Sequence, residues 1–229
     1  DAVKKMRGKP KTKIVLTVVR QGESEPLIFT IIRDIIQIQS VKSEVLENSV
    51  AYVRITQFQE KTGLKLAEAL KKRFSEIDNN VDGIILDLRN DPGGLLNSAV
   101  AVTSAFIPEN TLVVYTEGRV RNSSMKLFSR PEHYLRSGSK NYLADLPEKT
   151  KTVPMVVLIN NGSASASEIV AGALQDHSRA VIMGTQSFGK GSVQTILPLN
   201  NGTAIKLTTA RYFTPKGRSI QAKGITPDI

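Results

Sequence analysis

The sequence contains no cysteine. This absence excludes thiol catalysis, disulfide bonds and thiolate metal sites. Histidine is scarce as well, with only His133 and His177, so a site that needs three or more imidazoles is also excluded. No apolar run approaches the roughly 20 residues of a membrane-spanning helix, and no signal-peptide pattern is visible. We expect the chain to be a piece of a longer protein whose targeting segments lie elsewhere.

Aromatic residues make up only 5% of the chain, whereas its formal net charge is +10. A basic chain is typical of nucleic-acid or anionic-membrane partners. Here, however, the lysines and arginines are scattered along the sequence, and few aromatic side chains are available to stack on bases. We therefore predict solvated basic faces and no nucleic-acid partner. Hydrophobic residues make up 40% of the chain, which is enough for a true core.

Two stretches of different pattern predict two domains. Residues 1–36 hold a short helix and two strands, 14–20 and 27–32, which together bury too little surface for a complete core. Residues 37–229 repeat the order strand, loop, helix. That order predicts an α/β core with at least partly parallel strands.

Within the second domain the patterns differ in strength. Residues 64–77 carry apolar residues at helical spacing, and residues 83–88 form a short apolar run of strand length. Residues 118–147 are polar and weakly patterned, so we expect a long loop there. Asn201 and Gly202 predict a type I′ turn that closes a hairpin.

A serine-rich corner lies between an apolar strand and a helix. The strand ends at Asn160, a tight turn follows, and the helix spans residues 164–175. Ser165 at such a corner would be rigidly held beside the free N–H groups of a helix N-terminus, a geometry that suits a nucleophile with an oxyanion hole. The alternative is a serine-rich helix cap without catalytic function.

A nucleophilic serine needs a base. His177 lies at the far end of the same helix, about 18 Å away, and nothing in the sequence brings His133 to Ser165, so a histidine triad is disfavoured. Lys190 is the better candidate because strand–helix–strand crossovers return the chain to the same sheet edge. A lysine acts as a base only when neutral, so we expect Lys190 to be buried beside Phe188.

Further residues complete this prediction. Gln194 could orient the amine of Lys190 by a hydrogen bond. Gly93 or Gly94 could donate a backbone N–H to the same oxyanion as Ala166. The alternatives are a surface lysine in a glycine-rich turn and a plain strand-to-helix turn at the glycines.

A second function is suggested by residues 184–190, which match the first seven positions of a phosphate-binding P-loop. The eighth position should be Ser or Thr, but it is Gly191, and a strand rather than a helix is predicted to follow. Nucleotide binding is therefore the weaker alternative.

Four motifs together resemble those of the carboxyl-terminal processing proteases, which are serine endopeptidases with a Ser/Lys dyad. They are residues 87–94, 161–168, 175–176 and 188–194. The resemblance implies a crotonase-like α/β core over residues 37–229 and no cofactor. It also implies the following roles: Ser165 as nucleophile, Lys190 as general base, Gln194 as support for the lysine, Asp176 as a structural residue, and Gly93 or Gly94 with Ala166 as the oxyanion hole.

Residues 1–36 resemble the C-terminal part of the PDZ domain that these enzymes carry. The resemblance implies a periplasmic or envelope location, protein or peptide substrates with apolar C-termini, an adaptor protein and self-assembly into a homo-oligomer. One departure is Asp91, where the family often has asparagine, because it adds a negative charge near the oxyanion hole. A catalytically silent or activator-dependent peptide-binding scaffold of the same fold is the alternative function.

Overall fold

The computed structural model describes residues 2–35, 39–118, 124–200 and 202–229. By its internal contacts the chain divides into two compact units, residues 1–39 and 40–229. The boundary predicted between residues 36 and 37 lies outside the described residues.

The described residues of the first unit form a short helix and a hairpin: α1 (Ala2–Met6), β1 (Lys13–Val18) and β2 (Leu27–Ile32). The two strands pair antiparallel. Arg33 holds the helix and the hairpin together, since its guanidinium donates to the carbonyl of Met6 over 2.9 Å and to that of Lys13 over 3.0 Å. The predicted helix and hairpin are present, and their assignment to a PDZ domain remains a prediction.

The second unit contains the remaining elements. Its strands are β3 (Val41–Leu46), β4 (Val50–Ile55), β5 (Gly83–Asp87), β6 (Leu112–Gly118), β7 (Met125–Phe128), β8 (Met155–Ile159), β9 (Val181–Gly184), β10 (Ser192–Pro198) and β11 (Ala204–Phe213). Its helices are α2 (Thr62–Glu76), α3 (Leu96–Ser104), α4 (Pro131–Tyr134) and α5 (Ala166–Asp176). None of the described helices is long and apolar enough to cross a membrane.

A five-stranded sheet forms the centre of this unit, in the order β3-β4-β5-β8-β9. The edge strand β3 is antiparallel to β4, and the other neighbours are parallel. The prediction of an α/β fold with partly parallel strands is therefore confirmed. Because the chain runs in the same direction in β5, β8 and β9, the segments that follow these strands emerge at one edge of the sheet.

The helices cover this sheet with apolar faces. Leu66, Leu70 and Phe74 on α2 are fully buried, as their helical spacing predicts. Almost all of α5 is buried as well, and it packs against α3. The helix that begins at the serine corner is therefore fixed on several sides.

A second sheet of four antiparallel strands has the order β10-β11-β6-β7. The predicted hairpin of β10 and β11 is present, and Leu199 closes it by donating its N–H to Thr203 over 2.8 Å. The predicted type I′ turn includes Asn201, which lies outside the described residues.

The prediction of a continuous loop over residues 118–147 is wrong. The described part of this segment contains β7 and α4. Strand β7 forms because β6 offers it an antiparallel partner, and Pro131 stands at the first turn of α4, where its missing N–H costs nothing. His133 links the two elements, since its Nδ1 lies 2.8 Å from the backbone nitrogen of Phe128.

Candidate active site

The serine corner connects the ends of β8 and β5. The Ser163 hydroxyl accepts the N–H of Asn160 over 3.0 Å and donates to the Leu88 carbonyl over 2.8 Å. The Asn160 side chain in turn accepts the Asn90 N–H over 2.9 Å. These bonds fix the turn that leads from β8 into α5.

Ser165 is the N-cap of α5 and has the backbone angles φ +56° and ψ −109°. A non-glycine residue adopts such angles only when its surroundings impose them. A nucleophilic serine on a strained strand-to-helix turn is also the arrangement of the nucleophile elbow in other hydrolases. The Ser165 side chain is half-buried, so it is held rigidly and still reaches the surface.

Glu168, in the first turn of α5, brings the serine corner and the Lys190 loop together. Its carboxylate is fully buried. Oε2 accepts the backbone N–H of Ser165 over 2.7 Å and that of Lys190 over 2.9 Å. Since both nitrogens are within hydrogen-bonding distance of one oxygen, they lie no more than about 6 Å apart. The predicted neighbourhood of residues 165 and 190 is therefore found, at the level of the backbone.

The other oxygen of this carboxylate holds the same loop. Oε1 accepts the Ser187 hydroxyl and the Gly189 N–H, each over 2.6 Å. Glu168 was not among the functional residues predicted from the sequence. The pattern Ser-x-x-Glu could have indicated it, because a glutamate three residues after an N-cap serine reaches back to the N-cap N–H.

The side chain of Lys190 does not lie in the predicted apolar setting. It is exposed, and Phe188, which was expected to shield it, is 68% exposed. The physical reason is that the loop is held through its backbone N–H groups, and this leaves the side chains of residues 188 and 190 at the surface.

Gln194 and Asp176 have separate positions. Gln194 is exposed on β10, beside a bulge in the pairing with β11, and no hydrogen bond joins it to Lys190 in the described part of the chain. Asp176 is the last residue of α5, at the opposite end from Ser165. Its buried carboxylate accepts the Lys216 N–H over 2.7 Å and pairs with the Arg218 guanidinium.

Gly93 and Gly94 lie against the start of α5. Gly93 has φ +92°, and a Cβ there would lie 2.5 Å from the Ala164 carbonyl oxygen and 2.8 Å from the Ala166 nitrogen. Gly94 has φ +152°, and its Cβ would lie 2.0 Å from the Phe58 carbonyl oxygen. No side chain fits at either position, so the backbone itself forms this surface.

Not all of the N–H groups at this corner are free. The Gly93 N–H donates to Asp91 Oδ1 over 2.8 Å. By contrast, the N–H groups of Gly94 and Ala166 have no acceptor among the described residues. The Ala166 N–H stands at a helix N-terminus, where an anion is favoured. Of these three N–H groups, those of Gly94 and Ala166 are therefore without a protein acceptor in the described part of the chain, and that of Gly93 is not.

A charged cluster at the end of β5 supports the loop that carries Gly93 and Gly94. The Asp87 carboxylate is fully buried at the end of β5, where it accepts hydrogen bonds from the Arg89 guanidinium and the Tyr52 hydroxyl. Burial by itself raises the pKa of Asp87, but these hydrogen bonds outweigh it and hold the pKa below its ordinary value. The first residues of the glycine motif (residues 87–94) are thus held by an ionised pair.

The disfavoured alternatives can also be located. His177 caps the far end of α5, and its Nε2 lies 2.7 Å from the Leu112 carbonyl oxygen. A histidine triad with Ser165 is therefore absent among the described residues. The P-loop alternative meets two obstacles: β10 rather than a helix follows residue 191, and the Gly189 and Lys190 N–H groups are already bound to Glu168. In the described part of the chain, no group of three or more His, Asp or Glu side chains could hold a metal ion.

The profile of peptidase family S41 matches residues 49–229. A carboxy-terminal-processing protease of Bartonella bacilliformis is 50% identical over 230 residues, covering 100% of this chain and 49% of the relative. A carboxyl-terminal-processing protease of Synechocystis sp. is 36% identical, with coverage of 100% and 49%. This chain therefore spans about half the length of the curated relatives it matches.

A solved structure is similar to this chain as well. The photosystem II D1 C-terminal processing protease superposes with a TM-score of 0.65 at 27% sequence identity, covering 97% of this chain and 56% of that one. The serine corner and the glycine motif described above both lie within the residues that the family profile matches. The chain belongs to peptidase family S41, the family of the carboxyl-terminal processing proteases.

Proposed function

We propose that the protein is a serine endopeptidase that cuts polypeptides near their C-terminus through a Ser165/Lys190 dyad and an acyl-enzyme. One observation carries this proposal: a single buried oxygen of Glu168 accepts the N–H groups of both Ser165 and Lys190. A nucleophile and its base must lie within hydrogen-bond reach of each other, and a shared acceptor keeps their backbones together.

In the proposed mechanism the neutral amine of Lys190 removes the proton of Ser165 Oγ as this oxygen attacks the scissile carbonyl carbon. The carbonyl electrons move to its oxygen, which then lies against the N–H groups of Gly94 and Ala166. Collapse breaks the C–N bond, and the leaving amine takes the proton from the lysine. Water, activated by the same amine, hydrolyses the ester and regenerates Ser165.

The remaining parts of the proposal concern the whole protein. Residues 1–36 would be the C-terminal part of a PDZ domain, which would bind apolar protein C-termini by strand addition. Residues 37–229 would form a crotonase-like core, with Gln194 supporting the lysine when substrate is bound. A periplasmic or envelope location, an adaptor and self-assembly are further parts of this proposal, supported by the family assignment.

A second candidate function is a catalytically silent or activator-dependent scaffold of the same fold. The exposed side chain of Lys190 favours it, because the apolar surroundings that a lysine base requires do not enclose this side chain. Under this alternative, an activator or the substrate itself would have to enclose residues 188 and 190.

The test uses the full-length protein and an unfolded substrate that ends in small apolar residues. We expect cleavage by the wild type and no cleavage by Ser165→Ala or Lys190→Ala. Substantial cleavage by Lys190→Ala would rule out the dyad. If the wild type does not cleave, a fluorophosphonate probe distinguishes the alternatives. Labelling of Ser165 would indicate a competent enzyme that lacks its substrate, and labelling only after an activator is added would indicate the second candidate.

A further inference from the structure

Asp91 places a carboxyl group with one unpaired oxygen beside Gly93. The residue is fully buried. Its Oδ1 accepts the Gly93 N–H over 2.8 Å, whereas its Oδ2 is buried without a hydrogen-bond partner among the described residues. The Asp91 backbone carbonyl accepts the Ala164 N–H and the Ser167 hydroxyl, each over 3.0 Å. The carboxyl group is thus fixed between the glycine motif and the first turn of α5.

No cation compensates this group in the described part of the chain. Arg89, on the same loop, directs its guanidinium to Asp87, and Lys190 on the loop after β9 is exposed. Two other acids lie on neighbouring elements: Glu168 on α5 is bound to its own donors, and Glu60, on the segment that carries Phe58, pairs with Arg136.

Burial of an uncompensated carboxylate is costly, and the group responds by taking up a proton. Burial raises the pKa of Asp91 to about 7, although the N–H of Gly93 and the nearby hydroxyl of Ser167 both oppose this shift. Asp87 provides a comparison within the same loop, because its hydrogen bonds to Arg89 and Tyr52 keep it ionised. The two carboxyl groups of this loop therefore have opposite protonation preferences.

We propose that Asp91 is a positioning residue that acts in its protonated form, holding Gly93 through Oδ1 while the Gly94 and Ala166 N–H groups bind the oxyanion. This inference rests on the proposed function and adds a second titrating group to it. Ionisation would place a negative charge beside the position where the tetrahedral intermediate becomes negative, and like charges in a buried site repel strongly.

The consequence is a pH dependence that Lys190 alone would not produce. The base requires a neutral amine and favours high pH, whereas the oxyanion site requires a neutral Asp91 and favours low pH. In the full-length protein, Asp91→Asn retains an acceptor for the Gly93 N–H and cannot ionise. We expect the ratio of its activity to that of the wild type to rise by at least about tenfold from pH 6 to pH 9. Because Lys190 is present in both proteins, its contribution cancels in this ratio.

The measurement is the second-order rate constant for labelling of Ser165 by a fluorophosphonate, since this reaction needs no natural substrate. Asp82→Asn, which changes an exposed acid, is the matched control, and its ratio should be constant with pH. Asp91→Ala, which removes the acceptor for Gly93, should be slow at every pH, with recovery in Asp91→Asn. A constant ratio for Asp91→Asn, or equal rates for the Ala and Asn variants, would overturn the proposal.

A second readout does not depend on activity. The pKa of Asp91 is raised on folding, so between about pH 4 and pH 7 the native state binds more protons than the unfolded state, and stability falls with rising pH. The melting temperature of Asp91→Asn relative to the wild type should therefore rise over this range and be constant above it. A flat difference would show that Asp91 does not titrate there and would overturn the proposal. Absence of any Ser165-dependent labelling in the wild type would instead contradict the proposed function, and this inference with it.

Discussion

At the scale of single residues, Glu168 is the most heavily used side chain of the site. Its two oxygens accept four donors while the residue is fully buried. A glutamine has one acceptor oxygen, so its NH₂ group would face two of these donors. We expect Glu168→Gln to lower the free energy of unfolding by about 2–4 kcal/mol and to slow fluorophosphonate labelling of Ser165 more than tenfold. Urea denaturation and labelling kinetics measure the two effects.

Glu68→Gln is the control for this variant, since Glu68 lies on the exposed face of α2. It should change neither quantity. If Glu168→Gln were as stable and as reactive as the wild type, the shared carboxylate would not be what holds the serine and lysine backbones together.

Gly93 gives a second prediction at the scale of single residues. Gly93 and Gly138 have similar angles, φ +92° and φ +80°, but only Gly93 has atoms within 4 Å of an added Cβ. Gly138→Ala should therefore lower the free energy of unfolding by about 1 kcal/mol, from backbone strain alone. Gly93→Ala adds a clash with the start of α5 and should lower it by about 3 kcal/mol or more. Chemical denaturation of both variants tests this, and equal losses would mean that the packing of Gly93 against α5 contributes little.

At the scale of elements, the C-terminal end of α5 is stabilised through Asp176. Its carboxylate binds the Lys216 N–H and the Arg218 guanidinium, so it connects the helix to the segment after β11. Asp176→Ala should lower the free energy of unfolding by about 2–3 kcal/mol, because the charge-assisted hydrogen bonds of a buried carboxylate are lost. Labelling of Ser165 should slow less than in Glu168→Gln, since Asp176 lies at the other end of the helix.

The matched control is Asp145→Ala. Asp145 is 63% exposed, and its contacts to Lys71 and Lys140 measure 3.7 Å and 3.9 Å. An exposed pair of this kind contributes about 0–1 kcal/mol. Equal melting temperatures for the two variants would contradict the structural role of Asp176.

Elements with a strong periodic pattern were predictable from the sequence. The helix α2 was predicted from its helical spacing and the strand β5 from its short apolar run, and both are buried as expected. The strand β7 was missed because four residues carry too little pattern and its pairing with β6 is what defines it. Short strands of this kind depend on tertiary context.

In the candidate site, too, some features could be predicted from the sequence and others depend on tertiary contacts. The strand-to-helix corner at Ser165 and the approach of the Lys190 loop follow from local signals and from the topology of crossover connections. Local signals do not predict the four hydrogen bonds to Glu168 or the exposure of Lys190. These depend on where residues 187–190 lie in space, about 20 positions further along the chain. The protonation state of Asp91 could not be predicted from the sequence either, because burial decides whether a carboxyl group is charged.

At the scale of the whole molecule, the hydrophobic core belongs to one unit. All of its buried members lie between Val41 and Ile225, whereas none of the described side chains of residues 1–39 is buried. In this first unit Val15, Ile28 and Ile32 are 59%, 71% and 59% exposed. Apolar side chains on a lone two-stranded hairpin stabilise it little.

This asymmetry predicts different local stabilities, which hydrogen exchange can measure. In this chain by itself, the amides of β1 and β2 should exchange far faster than those of β5 and β8, because the hairpin has few buried apolar contacts to keep it closed. If residues 1–36 are the C-terminal part of a PDZ domain, the rest of that domain would cover the exposed aliphatic side chains in the full-length protein. The amides of β1 and β2 should then be slowed at least about tenfold there, with β5 and β8 unchanged. Equal exchange of β1 and β2 in the two proteins would contradict the PDZ assignment and leave the protease assignment of residues 49–229 intact.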